Sequence, residues 1–341
     1  MNVKENDIVI LGIETSCDET SAAVLVNGLD LRSHVISSQI QTHQKYGGVV
    51  PEIASREHSL HIQPVVQQAM DEASISFSDL SAIAVTYGPG LVGSLLVGVS
   101  GAKAMAYAAG VPLIGINHLE GHIYVNFLLH QDLEFPLAAL LVSGGHTHLI
   151  LFEDHGKYRV LGRTRDDAAG EALDKVARTL GLGYPGGPQI QKAAEKGNSQ
   201  AFKFPRAMLE PDSLDFSFSG MKSAVLNTLN SAKMRGETLN IYDLAASFQQ
   251  AVVDVLVRKA MLAVKRTGVK TLLLAGGVAA NQLLRETLQQ QLSERGVRLV
   301  FPPPIYCTDN GAMIAAAGYY HYLAGDFAPW TLNAVPGLTL T

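Results

Sequence analysis

One succession of apolar runs and small-residue turns occurs twice along the chain, and this duplication constrains the fold more than any single motif. The first half opens with an apolar run, Ile8 to Ile13, a polar turn from Glu14 to Thr20, and a second run, Ser21 to Val26. The second half opens the same way, with Pro136 to Val142, a turn at Ser143, Gly144 and Gly145, and then His146 to Phe152. Each pair reads as two strands joined by a small-residue hairpin. Later in each half a strand runs into glycines and then a helix: Ala82 to Tyr87 with Gly88-Pro89-Gly90, and Thr271 to Ala275 with Gly276-Gly277. The matching strands start at 8 and 82 in the first half and at 136 and 271 in the second. The second half therefore carries an insertion of about sixty residues, which we place at about 184–242 and expect to be mostly helical.

Between these landmarks, 3.6-type spacing predicts helices over Glu52 to Ala73, Leu91 to Ala109, Asp166 to Leu180, Leu244 to Arg266, Asn281 to Arg295 and Asn310 to Tyr322. Strands alternating with helices predict an α/β protein with largely parallel sheets covered on both faces. The expected division is an N-terminal lobe, 1–135, and a C-terminal lobe, 136–341, facing each other across a cleft where ligands meet the carboxyl ends of the strands. With 47% hydrophobic residues in 341, the chain can bury cores of that size.

Leu80 to Ala102 carries no charge and is long enough to span a bilayer. Gly88, Pro89, Gly90 and Gly93 break it into a strand and a helix, so we expect no membrane span. Cys17 and Cys307 cannot form a disulfide framework, and the N-terminus lacks a signal-type segment, which points to a reducing cytoplasm. With 26 Lys and Arg against 31 Asp and Glu, the formal charge is −5. That balance argues against a nucleic-acid binder acting alone, since displacing phosphate counterions takes a strong basic footprint.

The sharpest chemical signal is His118-Leu119-Glu120-Gly121-His122, just past the strand Pro112 to Ile116. At about 1.5 Å and ~100° per residue, two histidines four apart share a helix face about 6 Å apart, near enough for one metal ion. Glu120 lies two residues from each and is turned about 200° away. A zinc protease needs its glutamate directly after the first histidine, so Glu120 is expected to be structural or partner-facing. Asp309, in Cys307-Thr308-Asp309-Asn310-Gly311, reads either as the cap of the last helix or as a carboxylate on the wall opposite the histidine pair. In the second case the set is two histidines and one carboxylate, which suits iron(II) or zinc. The turn Leu141-Val142-Ser143-Gly144-Gly145 exposes backbone N–H groups and can cradle a phosphate, though a plain hairpin has the same residues.

Together these segments resemble the TsaD family, from Gly12-Ile13-Glu14-Thr15-Ser16-Cys17-Asp18-Glu19-Thr20 through Gly47-Gly48-Val49-Val50-Pro51-Glu52 and Gly88-Pro89-Gly90-Leu91 to Cys307-Thr308-Asp309-Asn310-Gly311. The resemblance covers nearly the whole chain. It implies a duplicated actin-like, sugar-kinase-like fold (ASKHA) and a cytoplasmic transferase. The implied reaction moves the threonylcarbamoyl group from threonylcarbamoyl-AMP to N6 of adenosine 37, in tRNAs reading codons that start with A.

By the same resemblance, His118, His122 and Asp309 match metal ligands, for Fe(2+) with Zn(2+) as the alternative, one ion per subunit. Leu141, Val142, Ser143, Gly144, Gly145, Asp174, Gly187 and Asn281 match adenylate and threonylcarbamoyl contacts, and Asp18 matches an acid near the reacting centre. The implied partners are tRNA, a paralogous actin-like subunit (TsaB) and a small P-loop ATPase (TsaE), with a homodimer left open. The alternatives are a metal-dependent endopeptidase, which the position of Glu120 disfavours, and a non-catalytic actin-like scaffold, which has no need of the His-His-Asp set. A sugar-kinase-like enzyme does not explain the histidine pair.

Overall fold

The computed structural model describes residues 4, 6–207 and 213–340. In chain order its elements are β1 (Val9–Glu14), β2 (Glu19–Val26), β3 (Asp30–Ser38), α1 (Ile40–Gln44), α2 (Pro51–Ala73), β4 (Ala82–Gly88), α3 (Val92–Ala109), β5 (Leu113–Asn117) and α4 (His118–Leu129). They continue with β6 (Leu137–Val142), β7 (Thr147–Asp154), β8 (Lys157–Arg163), α5 (Ala169–Thr179), α6 (Gly186–Ala194), α7 (Ser219–Arg235), α8 (Ile241–Thr267), β9 (Thr271–Ala275), α9 (Gln282–Ser293), β10 (Arg298–Val300) and α10 (Gly311–Ala324). Every predicted helix is present with its ends moved by three residues or fewer.

The duplication is visible in the sheets. One has the order β3-β2-β1-β4-β5 and the other β8-β7-β6-β9-β10. In both, an antiparallel three-stranded meander continues into two parallel strands, with β1 and β6 as the hinge strands. The hinge strands lie between neighbours and under helices, so they are apolar along their length. Val9–Ile13 and Leu137–Val142 contain no alternating polar position, and all of them are buried. The meander strands β3 and β8 are half-exposed and less apolar, and periodicity did not announce them.

The chain falls into two compact units, but not where the duplication alone places the boundary. The first comprises 1–133 together with 308–341, and the second 134–307. The expected lobe of 136–341 is thus corrected: its last 34 residues belong to the first unit. The reason is close backbone packing of α10 onto β1, β4 and α4. A Cβ on Gly12 would lie 2.4 Å from the backbone nitrogen of Ala315, one on Gly318 2.6 Å from the Ala84 Cβ, and one on Gly121 2.8 Å from Ile314. Gly311 to Gly318 are buried throughout.

In the second unit the added segment lies between β8 and α8. It includes α5, so it begins about twenty residues before the expected start, and its described residues between α6 and α7 are largely non-helical. Its core packs α5 to α8 against the sheet through Phe216, Phe218, Phe248 and Leu256, all fully buried. Among the described residues, α3 is the one helix long and apolar enough to cross a membrane. It packs on α2 and β4, with a third of it buried.

Candidate metal centre and glycine turn

In the first unit, two asparagines set up the metal centre. Asn117 closes β5 and caps α4, its Oδ1 accepting from the backbone N–H of Leu119 at 2.9 Å. This starts the helix at His118 and puts His118 and His122 one turn apart on one face. Asn310 caps α10, accepting from Met313 N–H at 3.0 Å, so the cap is Asn310 and not the preceding Asp309. Ser21 Oγ accepts from Gly311 N–H at 2.8 Å and fixes the start of that helix on β2.

Asp309 therefore meets the histidines within one unit rather than from an opposing wall, which corrects the expected placement. Asp309 Oδ1 lies 3.2 Å from His122 Nε2 and 3.5 Å from His118 Nε2. The imidazole centroids are 4.7 Å apart with planes at 77°, and the three ligand atoms lie within 4.8 Å of one another. Two metal bonds of about 2.1 Å subtending 90° to 109° separate their ligand atoms by about 3.0–3.4 Å, so the spacing suits one ion. Neither buried ring nitrogen of His122 makes a hydrogen bond among the described residues, although Asp309 Oδ1 faces Nε2 at 3.2 Å. Such a deeply placed imidazole is costly unless something binds it. The donor set itself, two imidazoles and a carboxylate, is one that iron(II) and zinc accept.

His118 is held from behind. Its Nδ1 lies 3.1 Å from Glu14 Oε2 and 3.0 Å from Ser16 Oγ. Glu14 is fully buried at the end of β1 and also accepts from Thr86 Oγ1 at 2.6 Å and from the N–H of Ser16. A carboxylate behind a metal-ligating histidine fixes its tautomer and ring orientation. Burial works against a charged His118, yet Asp309 and then Glu14 outweigh it and push its pKa to about 9. Burial alone would raise the Glu14 carboxyl, but His118 beside it holds it below the usual range. The roles of Glu14 and Ser16 were not anticipated from sequence. The one available signal was an acid closing an otherwise apolar strand.

Asp18 stands in the turn after β1. Burial first, and then the charge of Asp309, push its carboxyl up. Glu19, where β2 begins, is raised to about 8, chiefly by burial. Glu120 points away from the histidine pair: its Oε2 lies 3.1 Å from Nε2 of His321 on α10, whose Nδ1 is 2.8 Å from Asp326. It is a structural tie between helices, as its spacing suggested.

In the second unit the sequence-predicted contacts divide into those that can face a ligand and those that are occupied. Leu141 and Val142 are fully buried strand residues and offer only backbone. The Ser143 N–H donates to the His146 carbonyl at 2.8 Å, and Ser143 Oγ accepts from the His146 N–H at 3.2 Å, closing the turn. Gly144 and Gly145 are exposed, with open space where a Cβ would stand. Two neighbours press onto this turn. A Cβ on Gly170, at the start of α5, would lie 2.4 Å from the Ser143 carbonyl oxygen. Gly276, after β9, has φ +86°, and its Cβ would lie 2.5 Å from the Val142 carbonyl oxygen. Turn, helix start and second glycine pair thus gather at the carboxyl ends of β6 and β9, where open α/β sheets take ligands.

Asp174 and the glycines that open α6 are brought together, with Asp174 Oδ1 accepting from Gly186 N–H at 2.6 Å; Gly187, next in the chain, has open space at its Cβ position. Asn281 is occupied: it caps α9 through Leu284 N–H at 3.0 Å and donates to Gln249 Oε1 at 3.0 Å.

Comparison with known proteins identifies the family. The model of the family TsaD, "tRNA N6-adenosine threonylcarbamoyltransferase", matches residues 30–316. A protein of that description from Desulfitobacterium hafniense (strain Y51) is 74% identical over 340 residues, covering 100% of both chains. Another from Clostridioides difficile (strain 630) is 55% identical over 335 residues, covering 98% of this chain and 99% of its own. Among solved structures, component A of (R)-2-hydroxyglutaryl-CoA dehydratase from Acidaminococcus fermentans superposes with a TM-score of 0.54 at 17% identity, over 93% of this chain and 99% of that one. HypF from T. kodakarensis gives 0.64 at 14% identity, over 94% and 49%. These two share the fold, a duplicated actin-like (ASKHA) architecture. A match across most of the chain and full-length relatives at 74% and 55% identity make the conclusion plain: the chain belongs to the TsaD family of tRNA N6-adenosine threonylcarbamoyltransferases and is a transferase.

Proposed function

We propose that this chain moves the threonylcarbamoyl group of threonylcarbamoyl-AMP onto N6 of adenosine 37 in tRNAs reading codons that start with A. The observation that carries the chemical part is the His118, His122 and Asp309 set with Glu14 behind it. These three residues would hold Fe(2+), or Zn(2+), which supplies a Lewis acid that withdraws electron density from bound oxygens. In the reaction the N6 nitrogen forms a bond to the carbamoyl carbon, the bond from that carbon to the phosphate oxygen breaks, and AMP leaves with the bonding pair. Asp18, whose basicity burial and Asp309 raise, takes the proton that N6 gives up. The exposed turn at Gly144 and Gly145, through its backbone N–H groups, and the glycine-lined start of α6 take the phosphate and ribose. Fixed donors of this kind are typically worth about 10²–10³ in rate. Asn281 then acts by holding α9 in place, since its amide is already used.

The setting we propose is the cytoplasm, within an assembly containing an actin-like paralogue (TsaB) and a P-loop ATPase (TsaE). In their absence a homodimer is the state to look for. The test is mass spectrometry of tRNA nucleosides after incubating the chain and its partners with threonylcarbamoyl-AMP and unmodified tRNA, with metal content measured on the same protein. The expected result is threonylcarbamoyl-adenosine formed by wild type and none by His122→Ala. Modified nucleoside from a metal-free His118→Ala/Asp309→Ala double variant would overturn the mechanism.

A further inference from the structure

Net charge conceals an asymmetry between the two units. The first has five Lys and Arg against fifteen Asp and Glu, a formal −10. The second has twenty-one against sixteen, +5. The surplus of the second unit is concentrated. A groove of about 710 Å³ runs beside the carboxyl end of α8 and the loops that lead into β9 and β10. Arg258, Lys259, Lys265, Lys270 and Arg295 line it, and among the described residues no acid does. Its floor is apolar, with Leu262, Val264 and Val297 among the lining residues. Lys259 is buried and its Nζ donates to the Ser213 carbonyl at 2.6 Å, so it belongs to the wall. Arg258, Lys265, Lys270 and Arg295 are exposed, and none of the four pairs with an acid among the described residues. Elsewhere in this unit, Arg165, Lys175, Arg206 and Arg235 are each neutralised by a carboxylate. Four unpaired cations around one groove repel one another and are favourable only toward a polyanion.

Position narrows the polyanion. Lys270 directly precedes β9, whereas the glycine turn follows it. Five strand residues at about 3.3 Å each set the groove about 17 Å from the turn. A single nucleotide bound at the turn cannot reach that far, but a folded RNA presenting one nucleoside for reaction can.

We propose that this groove is a phosphate-binding surface for the RNA substrate, gripping the backbone of a stem remote from the reacting adenosine. It is the chain's own contribution to a basic footprint, within an overall charge of −5. The inference rests on the RNA-modifying function proposed above. Contacts of this type fix position and carry no base identity, so the surface should serve every RNA the enzyme accepts.

The test is fluorescence anisotropy of labelled, unmodified tRNA with the full-length chain across a salt series. It compares wild type with Lys265→Gln/Lys270→Gln/Arg295→Gln and with the charge reversal Lys265→Glu/Lys270→Glu. A control, Lys157→Gln/Arg159→Gln/Lys233→Gln, removes equal charge elsewhere on the second unit. We expect the groove variants to bind about tenfold or more weakly at moderate salt and to flatten the slope of log Kd against log salt by about two, as loss of two or three phosphate contacts requires. The control should retain at least most of the wild-type affinity and slope. Equal losses in groove and control variants, or no loss in either groove variant, would overturn the proposal. Steady-state transfer separates this from the function itself. A groove variant should raise KM for tRNA and leave kcat unchanged; absence of product with wild type would refute the function, while product with an unchanged variant KM would refute only the groove.

Discussion

The two sheets are wound alike, and the turn that follows the hinge strand is used differently in each. After β1 the turn is polar and packed away: Thr15 and Ser16 are buried, Glu14 and Ser16 reach His118, and the segment leading into α10 supplies Asp309 beside them. After β6 the corresponding turn is Ser143-Gly144-Gly145, open to solvent, with its side chains removed rather than deployed. The first unit thus presents charged ligands and an acid, and the second presents backbone N–H groups. Duplicating a scaffold fixes where a turn stands relative to its sheet. The side chains on that turn then decide whether the place suits a cation or an anion. The charge balance, −10 against +5, follows the same division.

The most severe way to break this comparison is to remove a ligand from the first unit. His122→Ala and Asp309→Asn should each reduce bound iron or zinc from about one ion per chain to about a tenth or less, since a divalent site built on three protein ligands loses most of its affinity with one of them. Elemental analysis after gel filtration checks this. Retention of stoichiometric metal in both variants would show that the set does not hold the ion.

A smaller effect is expected at Glu14, which stands behind His118 and orients it. Glu14→Gln should weaken metal affinity about 10–100-fold, the usual size for such supporting carboxylates, with the fold kept by the hydrogen bond from Thr86. A chelator-competition titration measures it, and an unchanged affinity would reduce Glu14 to a packing role.

In the second unit the matching perturbation is steric. Gly276→Ala places a Cβ against the Val142 carbonyl at a φ of +86° and should cost about 1–3 kcal/mol of stability. Gly144→Ala meets open space and should be nearly neutral in urea denaturation. Equal effects would mean that the turn is not set by its neighbours.

The last test concerns how α10 is tied to the first unit. Burial disfavours a charged His321, but Glu120 and Asp326 outweigh it and push its pKa to about 9, above the ordinary 6.5. A group raised in the folded state contributes stability that is complete below about pH 6.5 and fades as pH rises through about 9. The contribution is about 1–3 kcal/mol, because Asp326 is largely exposed and its attraction is screened. Melting curves from pH 6 to 10 should show this decline in wild type and a flatter profile in His321→Gln. Parallel profiles would dismiss the tie.

Much of this was legible beforehand because it depends on local pattern. The hinge strands are apolar from end to end, the glycine pairs mark strand ends, and His118 and His122 fall one turn apart on any helix that includes both. Other parts were not legible. Asp309 taken by itself read better as a cap, and only the Asn310 side chain, seated on Met313 N–H, decides otherwise. Asn281 matched a ligand contact, yet both ends of its amide are committed within the protein. The basic groove is drawn from residues between 258 and 295 that form no run in the sequence, and overall charge averaged them away.

By itself, the sequence determined a duplicated α/β chain, a histidine pair fit for a metal and a glycine turn fit for an anion, because periodicity, turn chemistry and helix geometry act over a few residues; the antiparallel meander in each sheet it did not show. The tertiary structure alone decided that the last helix returns to the first unit with its carboxylate, that Glu14 stands behind His118, and that the cations of the second unit converge on one groove. Those outcomes depend on which backbones approach closely through Gly12, Gly121 and Gly318 and on which charges are left unpaired, and neither is written in the neighbourhood of any one residue.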